Sequence, residues 1–226
     1  MIDTNFDLHI HTRYSDGMPS VEQAIQVGKA KNLSLIAITD HFTTSWKQSY
    51  IDSINESNYE KYIKDIMHQR KVSNFKCLIG IEVDMESKWF DIIKIPYNNF
   101  EIILFEYVNS QTSLEQIVEL KEKLDLKSIL CLAHNFFFQT ADIEKFATIL
   151  SENEIAFELN SSYLGSFDEG SIQRLKILKD NDIKFTLGSD AHDKERIGDV
   201  HRSLAILEKI DGMNNLIDIS KINLKS

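Results

Sequence analysis

A chain of 226 residues with 42% hydrophobic and 27% charged side chains has enough apolar material for one α/β domain, and no stretch of it reads as disordered. Its 35 acidic residues against 25 basic ones leave a formal net charge of −10. That balance repels phosphate backbones and argues against long nucleic acid as a partner, but not against a small phosphorylated molecule.

The two prolines and eight glycines form no linker, and no repeat is present, so a single domain over 1–226 is expected. Met1-Ile2-Asp3-Thr4-Asn5 lacks the basic and apolar regions of a signal peptide, and the apolar runs are too short to cross a bilayer. Cys77 and Cys131, far apart in apolar surroundings, read as buried free thiols. A soluble cytoplasmic protein with no membrane contact is expected.

The first predicted strand, residues 6–11, carries Asp7-Leu8-His9-Ile10-His11-Thr12 and leads into Ser15-Asp16-Gly17. Two apart on a strand, His9 and His11 point to the same side, a grip suited to a transition metal, and Asp16 follows five residues on. A helix is predicted at 21–31, with Ser20 and Gln23 at capping-box spacing. The second strand, 34–39, ends in Thr39-Asp40-His41; His41 can ligate, and Asp40 reads as the neighbour that orients it or as a loop residue.

After a helix at 55–72, the strand 76–83 carries Gly80-Ile81-Glu82-Val83-Asp84. A carboxylate among apolar neighbours is costly unless paired, and an ion at Glu82 resolves that cost; Asp84 is a second candidate. Glu106 interrupts the strand 102–108 in the same way. A helix at 114–124 precedes the strand 128–133, which His134 terminates. A helix at 143–151 precedes the strand 155–159, where Glu158 and Asn160 share one side and suit a supporting shell, a substrate contact or an interior polar network. The helix 171–179 leads to the strand 184–187 and to Gly188-Ser189-Asp190-Ala191-His192, a turn that can bring Asp190 and His192 to one site, with Gly188 giving the backbone room. The tail, 204–224, reads as one or two further helices.

Strands alternating with helices imply βαβ units and a parallel sheet, and seven strands favour a closed or nearly closed barrel. No Gly-x-Gly-x-x-Gly follows the first strand, so nothing supports a dinucleotide fold. In a parallel barrel the functional face is the C-terminal end of the strands. Six of the seven histidines fall in or just after strand-end segments, His68 being the exception.

The ordered set Asp-Leu-His-x-His-Thr, Ser-Asp-Gly, Ile-Thr-Asp-His, Gly-x-Glu, Ala-His and Gly-Ser-Asp-Ala-His, spanning residues 7 to about 198, resembles the PHP (polymerase and histidinol phosphatase) family. The resemblance implies an α/β fold, a distorted (βα)7 TIM-like barrel, with two or three divalent metal ions (Zn, Mn or Fe) as cofactors. It implies His9, His11, Glu82 and Asp190 as ligands of a first metal, and Glu82 and His134 as ligands of a second. It implies Asp16, His41 and His192 as the third set. Many members complete the second metal with a histidine after the fourth strand; this chain has Phe105-Glu106-Tyr107-Val108 there, so Glu106 is expected as the substitute, or else the second site is weak or empty.

The chemistry expected is hydrolysis of a phosphate ester by metal-bound hydroxide, which needs no Ser or Cys nucleophile. Asp16 and His192 are candidates for the general acid, and Arg13 and Arg196 for contact with the phosphate. The substrate expected is a small phosphorylated metabolite, histidinol-phosphate-like or a nucleotide. The alternatives are a nuclease or nucleotide phosphodiesterase, and a non-catalytic metal-stabilised module of a larger assembly.

Overall fold

The computed structural model describes residues 3–222 and 224–225. Eight strands run parallel: β1 (Phe6–Asp7), β2 (Leu35–Ile38), β3 (His41–Phe42), β4 (Cys77–Asp84), β5 (Ile102–Glu106), β6 (Ile129–Leu132), β7 (Ile155–Asn160) and β8 (Phe185–Gly188). Their order is β1-β2-β4-β5-β6-β7-β8, with β3 continuing beside the C-terminal half of β4, where His41 is in register with Glu82. Seven strands nearly close into a barrel. The seam between β8 and the chain after β1 is stitched by Leu8 N–H donating to Leu187 O (2.9 Å) and His11 N–H donating to Ala191 O (3.0 Å). Six helices accompany the strands, α1 (Val21–Ala30), α2 (Tyr59–Ser73), the one-turn α3 (Trp89–Ile92), α4 (Gln111–Leu124), α5 (Ile143–Glu152) and α6 (Glu169–Asp180), and α7 (His201–Lys209) follows the last strand.

The strands are short, apolar and buried because both of their faces are covered, the signature of a parallel sheet under helices. Side-chain alternation then divides the work. On β7, Phe157 points outward against Phe146 of α5 (6.5 Å between rings) and neighbours Phe185 of β8 (6.3 Å). Glu158, one residue on, points into the barrel. The interior is thus a place where polar side chains meet without solvent.

The predicted boundaries shift for identifiable reasons. The ladder of the first strand covers only Phe6–Asp7, because residues 8–11 bend toward β8 and pair through the isolated Ile10–Ala191 bridge. The strand predicted at 102–108 stops at Glu106, because Tyr107 turns into the left-handed region (φ 54°). Ser20 caps α1 with the reciprocal Gln23 capping box, as expected. A second box, Ser110 with Ser113, starts α4 at Gln111, three residues before the predicted start. The tail predicted at 204–224 resolves into α7 and two 3-10 turns, Met213–Asn215 and Ile219–Lys221; its residue 223 lies outside the described residues. His201 is a correction. It opens α7 with its side chain 73% exposed and paired with Asp199, so five rather than six histidines belong to the strand ends.

Candidate metal centre

Nine side chains from six segments converge at the C-terminal end of the barrel. His9 Nε2 lies 3.0 Å from His11 Nε2, 3.3 Å from Glu82 Oε2 and 3.5 Å from Asp190 Oδ1. His11 Nε2 is 3.2 Å from the same Asp190 oxygen. His134 Nε2 is 3.0 Å from Glu82 Oε1, while His41 Nδ1 lies 3.1 Å from both Glu82 Oε2 and Glu106 Oε1. At the mouth, Asp16 Oδ2 stands 3.3 Å from His192 Nε2 and 3.7 Å from His41 Nε2. The donors form four overlapping groups: His11–Asp16–His41–His192, His9–His11–Asp190, His9–Glu82–His134 and His41–Glu82–Glu106, the donor atoms of each within 4.8 Å of one another.

The hydrogen bonds of this cluster do not satisfy it. His11 Nδ1, His41 Nδ1 and both carboxylate oxygens of Glu82 are buried without a hydrogen-bond partner. A carboxylate left so in an apolar interior is expensive, unless the surrounding donors and acceptors share a cation. Two nitrogens bound at about 2.1 Å and at right angles to one ion sit about 3.0 Å apart, the separation found between His9 and His11. Imidazole with carboxylate is a donor set suited to Zn, Mn or Fe.

Electrostatics points the same way. Burial pushes His9 down, but the carboxylates of Glu158, Glu82 and Asp190 outweigh it and hold the ring well above the ordinary histidine range. The same opposition raises His134 to about 9, through Glu82, Asp190 and Glu158, and His192 to about 9, through Asp16 and Asp190. His11 goes the other way, lowered by burial and by its histidine neighbours. Burial would raise Glu82 and Asp190, yet the rings around them hold both well below the usual carboxylate range. In the metal-free chain, protons therefore stand in for cations.

A supporting shell fixes these groups. Glu158 accepts from His9 Nδ1 (2.8 Å), which turns Nε2 toward the cluster, and also from the His134 backbone N–H (2.7 Å). Asp7 accepts from the backbone N–H of Ser189 (2.9 Å) and of Gly198 (2.7 Å) and from the Ser189 hydroxyl (2.6 Å), locking the first motif to the last across the seam. A Cβ on Gly188 would overlap Glu158 Oε1 and press on His9 Cβ, so only glycine lets these two approach. His134 (φ 29°) and Asp190 (φ 54°) are both in the left-handed region, a cost of order 1–3 kcal/mol each that tight packing and function sustain.

The model of the PHP domain matches residues 7–180. The chain belongs to this family. Among curated relatives, the probable histidinol-phosphatase of Clostridium acetobutylicum is 25% identical over 85% of this chain and 88% of its own. A probable phosphatase of Shewanella loihica is 22% identical over 91% and 85%. Among solved structures, the histidinol phosphate phosphatase of Lactococcus lactis, determined with zinc, L-histidinol and phosphate, superposes with a TM-score of 0.61 at 16% identity, covering 91% of this chain and 93% of that one. A putative histidinol phosphatase of Listeria monocytogenes gives 0.66 at 16% identity, over 88% and 99%. At this identity the likeness is one of fold, a PHP barrel. The last motif, Gly188–His192, lies beyond the matched residues, yet the seam packs it against the first.

Measured against the PHP motif, the structure gathers His9, His11, Asp16, His41, Glu82, Glu106, His134, Asp190 and His192 into one cluster. Glu106 arrives differently from its expected place. It groups with His41 and Glu82 rather than with His134, and both its oxygens accept from the Lys47 ammonium (2.8 and 2.7 Å). Asp40 does not orient His41; it accepts from Thr12 N–H, Thr12 Oγ1 and Ser15 Oγ and so shapes the first loop. Asp84 is taken by the Thr43 and Ser45 hydroxyls and joins none of the donor groups. Arg13 donates to Met18 O beside a small cavity lined by none of the nine residues. Arg196 donates to Ser162 Oγ (2.8 Å) and reaches Ser189 O (3.5 Å), directly behind Asp190. Sequence reading missed Lys47, whose lysine-in-a-loop context carries no signal, and Tyr163, whose ring lies 4.9 Å from that of His134.

Proposed function

We propose that the chain is a single-domain, metal-dependent phosphatase of a small phosphorylated metabolite, histidinol-phosphate-like or a nucleotide. The observation that carries this reading is the buried Glu82 carboxylate, unsatisfied by any hydrogen bond and ringed by His9, His11, His41 and His134. The residues proposed to hold the ions (Zn, Mn or Fe) are His9, His11, Asp16, His41, Glu82, His134, Asp190 and His192. When bound, such ions make coordinated water acidic near neutral pH and offset the negative charge of a phosphoryl group.

The chain's own residues supply the rest. Glu158 and Asp7 hold the first and last motifs at fixed separation, so that the donors are preorganised. Asp16, 27% exposed, and His192, 41% exposed, are the members of the cluster most open to the mouth, which suits them to exchange a proton with the leaving oxygen. Arg196, which donates to Ser162 Oγ and reaches the carbonyl of Ser189 next to Asp190, is proposed over Arg13 for contact with a phosphate oxygen. The free, buried Cys77 and Cys131 are in keeping with a reducing cytoplasm.

The rim bears on the substrate. Tyr163 is tilted against the His134 ring (4.9 Å) and meets Phe136 edge-on (5.9 Å), and Trp46 lies 6.5 Å from Tyr107; Trp46, Phe136 and Tyr163 are all exposed. Exposed aromatics beside a polar centre favour a leaving group with a flat or apolar part. Tyr163→Ala is expected to raise KM about three- to tenfold for aromatic phosphomonoesters with little change in kcat, as loss of ground-state stacking predicts. Steady-state kinetics reads this out, and an unchanged KM removes the rim from substrate binding.

The reading as a whole is tested by metal analysis of the purified chain, followed by phosphate release from a panel of monoesters, diesters and dinucleotides with added Mn²⁺. Turnover of compact monoesters is expected. Turnover of diesters alone overturns the phosphatase reading, and full metal content with no turnover favours a non-catalytic module.

A further inference from the structure

Lys47 sits on the 3-10 turn Trp46–Ser49 that follows β3, with its side chain only 15% exposed. Its ammonium binds both oxygens of Glu106 at 2.8 and 2.7 Å and lies 4.8 Å over the Tyr107 ring. Glu106 in turn is 3.1 Å from His41 Nδ1, which is 3.1 Å from Glu82. Of the four donor groups, the His41–Glu82–Glu106 group is therefore the one with a fixed positive charge of the protein's own already seated on it.

We propose that Lys47 is an internal substitute for one metal ion, so that the centre takes two ions rather than three. This rests on the metal-dependent reading given above. A divalent cation at Glu106 would lie next to an ammonium that the same carboxylate holds, in a buried site where like charges repel strongly. Displacing Lys47 would leave its ammonium half-buried without its partner, a second cost. The donors that remain form the group His11–Asp16–His41–His192 and two overlapping groups, His9–His11–Asp190 and His9–Glu82–His134. These two share His9, whose Nδ1 is held by Glu158, so its one free nitrogen, Nε2, serves a single ion between them. His41 keeps its Nε2 for the first group while Nδ1 faces Glu106. Lys47 neutralises Glu106 with a charge that never has to be loaded from solution.

Counting ions tests this apart from activity. The full chain is stripped with chelator and reloaded with Mn²⁺ or Zn²⁺, and the ions per chain are measured by elemental analysis and by calorimetric titration. Wild type is expected to take two. Lys47→Met, which removes the charge and frees Glu106, is expected to take three, and Lys47→Met with Glu106→Gln to return to two. Three ions in the wild type overturn the proposal whatever the variants do, and so does a count of two in Lys47→Met. A wild-type chain that takes up no ion removes the metal-dependent reading along with it. Two ions in wild type without phosphate release from any ester sinks the proposed function and leaves the ion count standing.

Discussion

Glu82→Gln is expected to lower kcat/KM on any phosphomonoester the chain hydrolyses by about a thousandfold or more, roughly 4 kcal/mol of barrier. Among the described residues, Glu82 is the one acid whose two oxygens face four histidine rings, His9, His11 and His41 on one oxygen and His134 on the other. Glutamine keeps the shape and the burial but removes the charge that balances neighbouring cations, and it turns an NH2 group toward ring nitrogens that would otherwise face metal. Metal content should fall together with rate, and that joint loss separates the effect from simple misfolding. Kinetics and elemental analysis on the same preparation decide it. A variant within tenfold of wild type, with its ions retained, would remove Glu82 from the centre of the mechanism.

Metal removal should have the largest effect on stability, and one that depends on pH. An ion present at about a thousand times its Kd stabilises a fold by about 4 kcal/mol. For a chain of this size that corresponds to a melting shift on the order of 10 °C. The sign with pH follows from the histidines. His134 and His192 are raised to about 9 in the metal-free chain from an ordinary value of 6.5. The stability they lend the metal-free fold is complete below 6.5 and is lost as pH rises through 9. The same protons must leave before an ion can bind, so each displaced proton makes affinity climb about a hundredfold from pH 7 to pH 9. Both trends widen the gap in Tm between loaded and chelated protein as the solution becomes more alkaline. Scanning calorimetry at pH 6, 7.5 and 9, with and without chelator, measures the gap. A gap that narrows with rising pH is the contrary result.

Much of this centre was legible before any coordinates. His9 and His11 stand out because a spacing of two on a strand puts both rings on one face, and Glu82 and His134 because they end apolar runs where polar groups are out of place. Asp190 and His192 belong to a turn opened by a glycine, and Gly188 proves to be the point where Glu158 and His9 press closest. The same local logic misled at His201, which looks like another strand-end histidine but begins a helix and faces solvent. It also failed at Asp84, which resembles a ligand in sequence and instead accepts from the Thr43 and Ser45 hydroxyls.

The primary structure by itself determined the residue types, their periodicity and therefore the alternation of buried strands with helices that ends each strand in a polar group. Those properties depend on neighbours a few positions away. Tertiary structure alone decided the partnerships, because they depend on which strands lie side by side and where the barrel closes. Glu158 reaches His9 across 149 residues, Asp7 reaches Ser189 across 182, and Lys47 meets Glu106 across 59. The last of these determines whether a carboxylate is open to an ion or already neutralised. No pattern along the chain encodes that contact, since a lysine on a short turn acquires its meaning only from the strand end it is folded against.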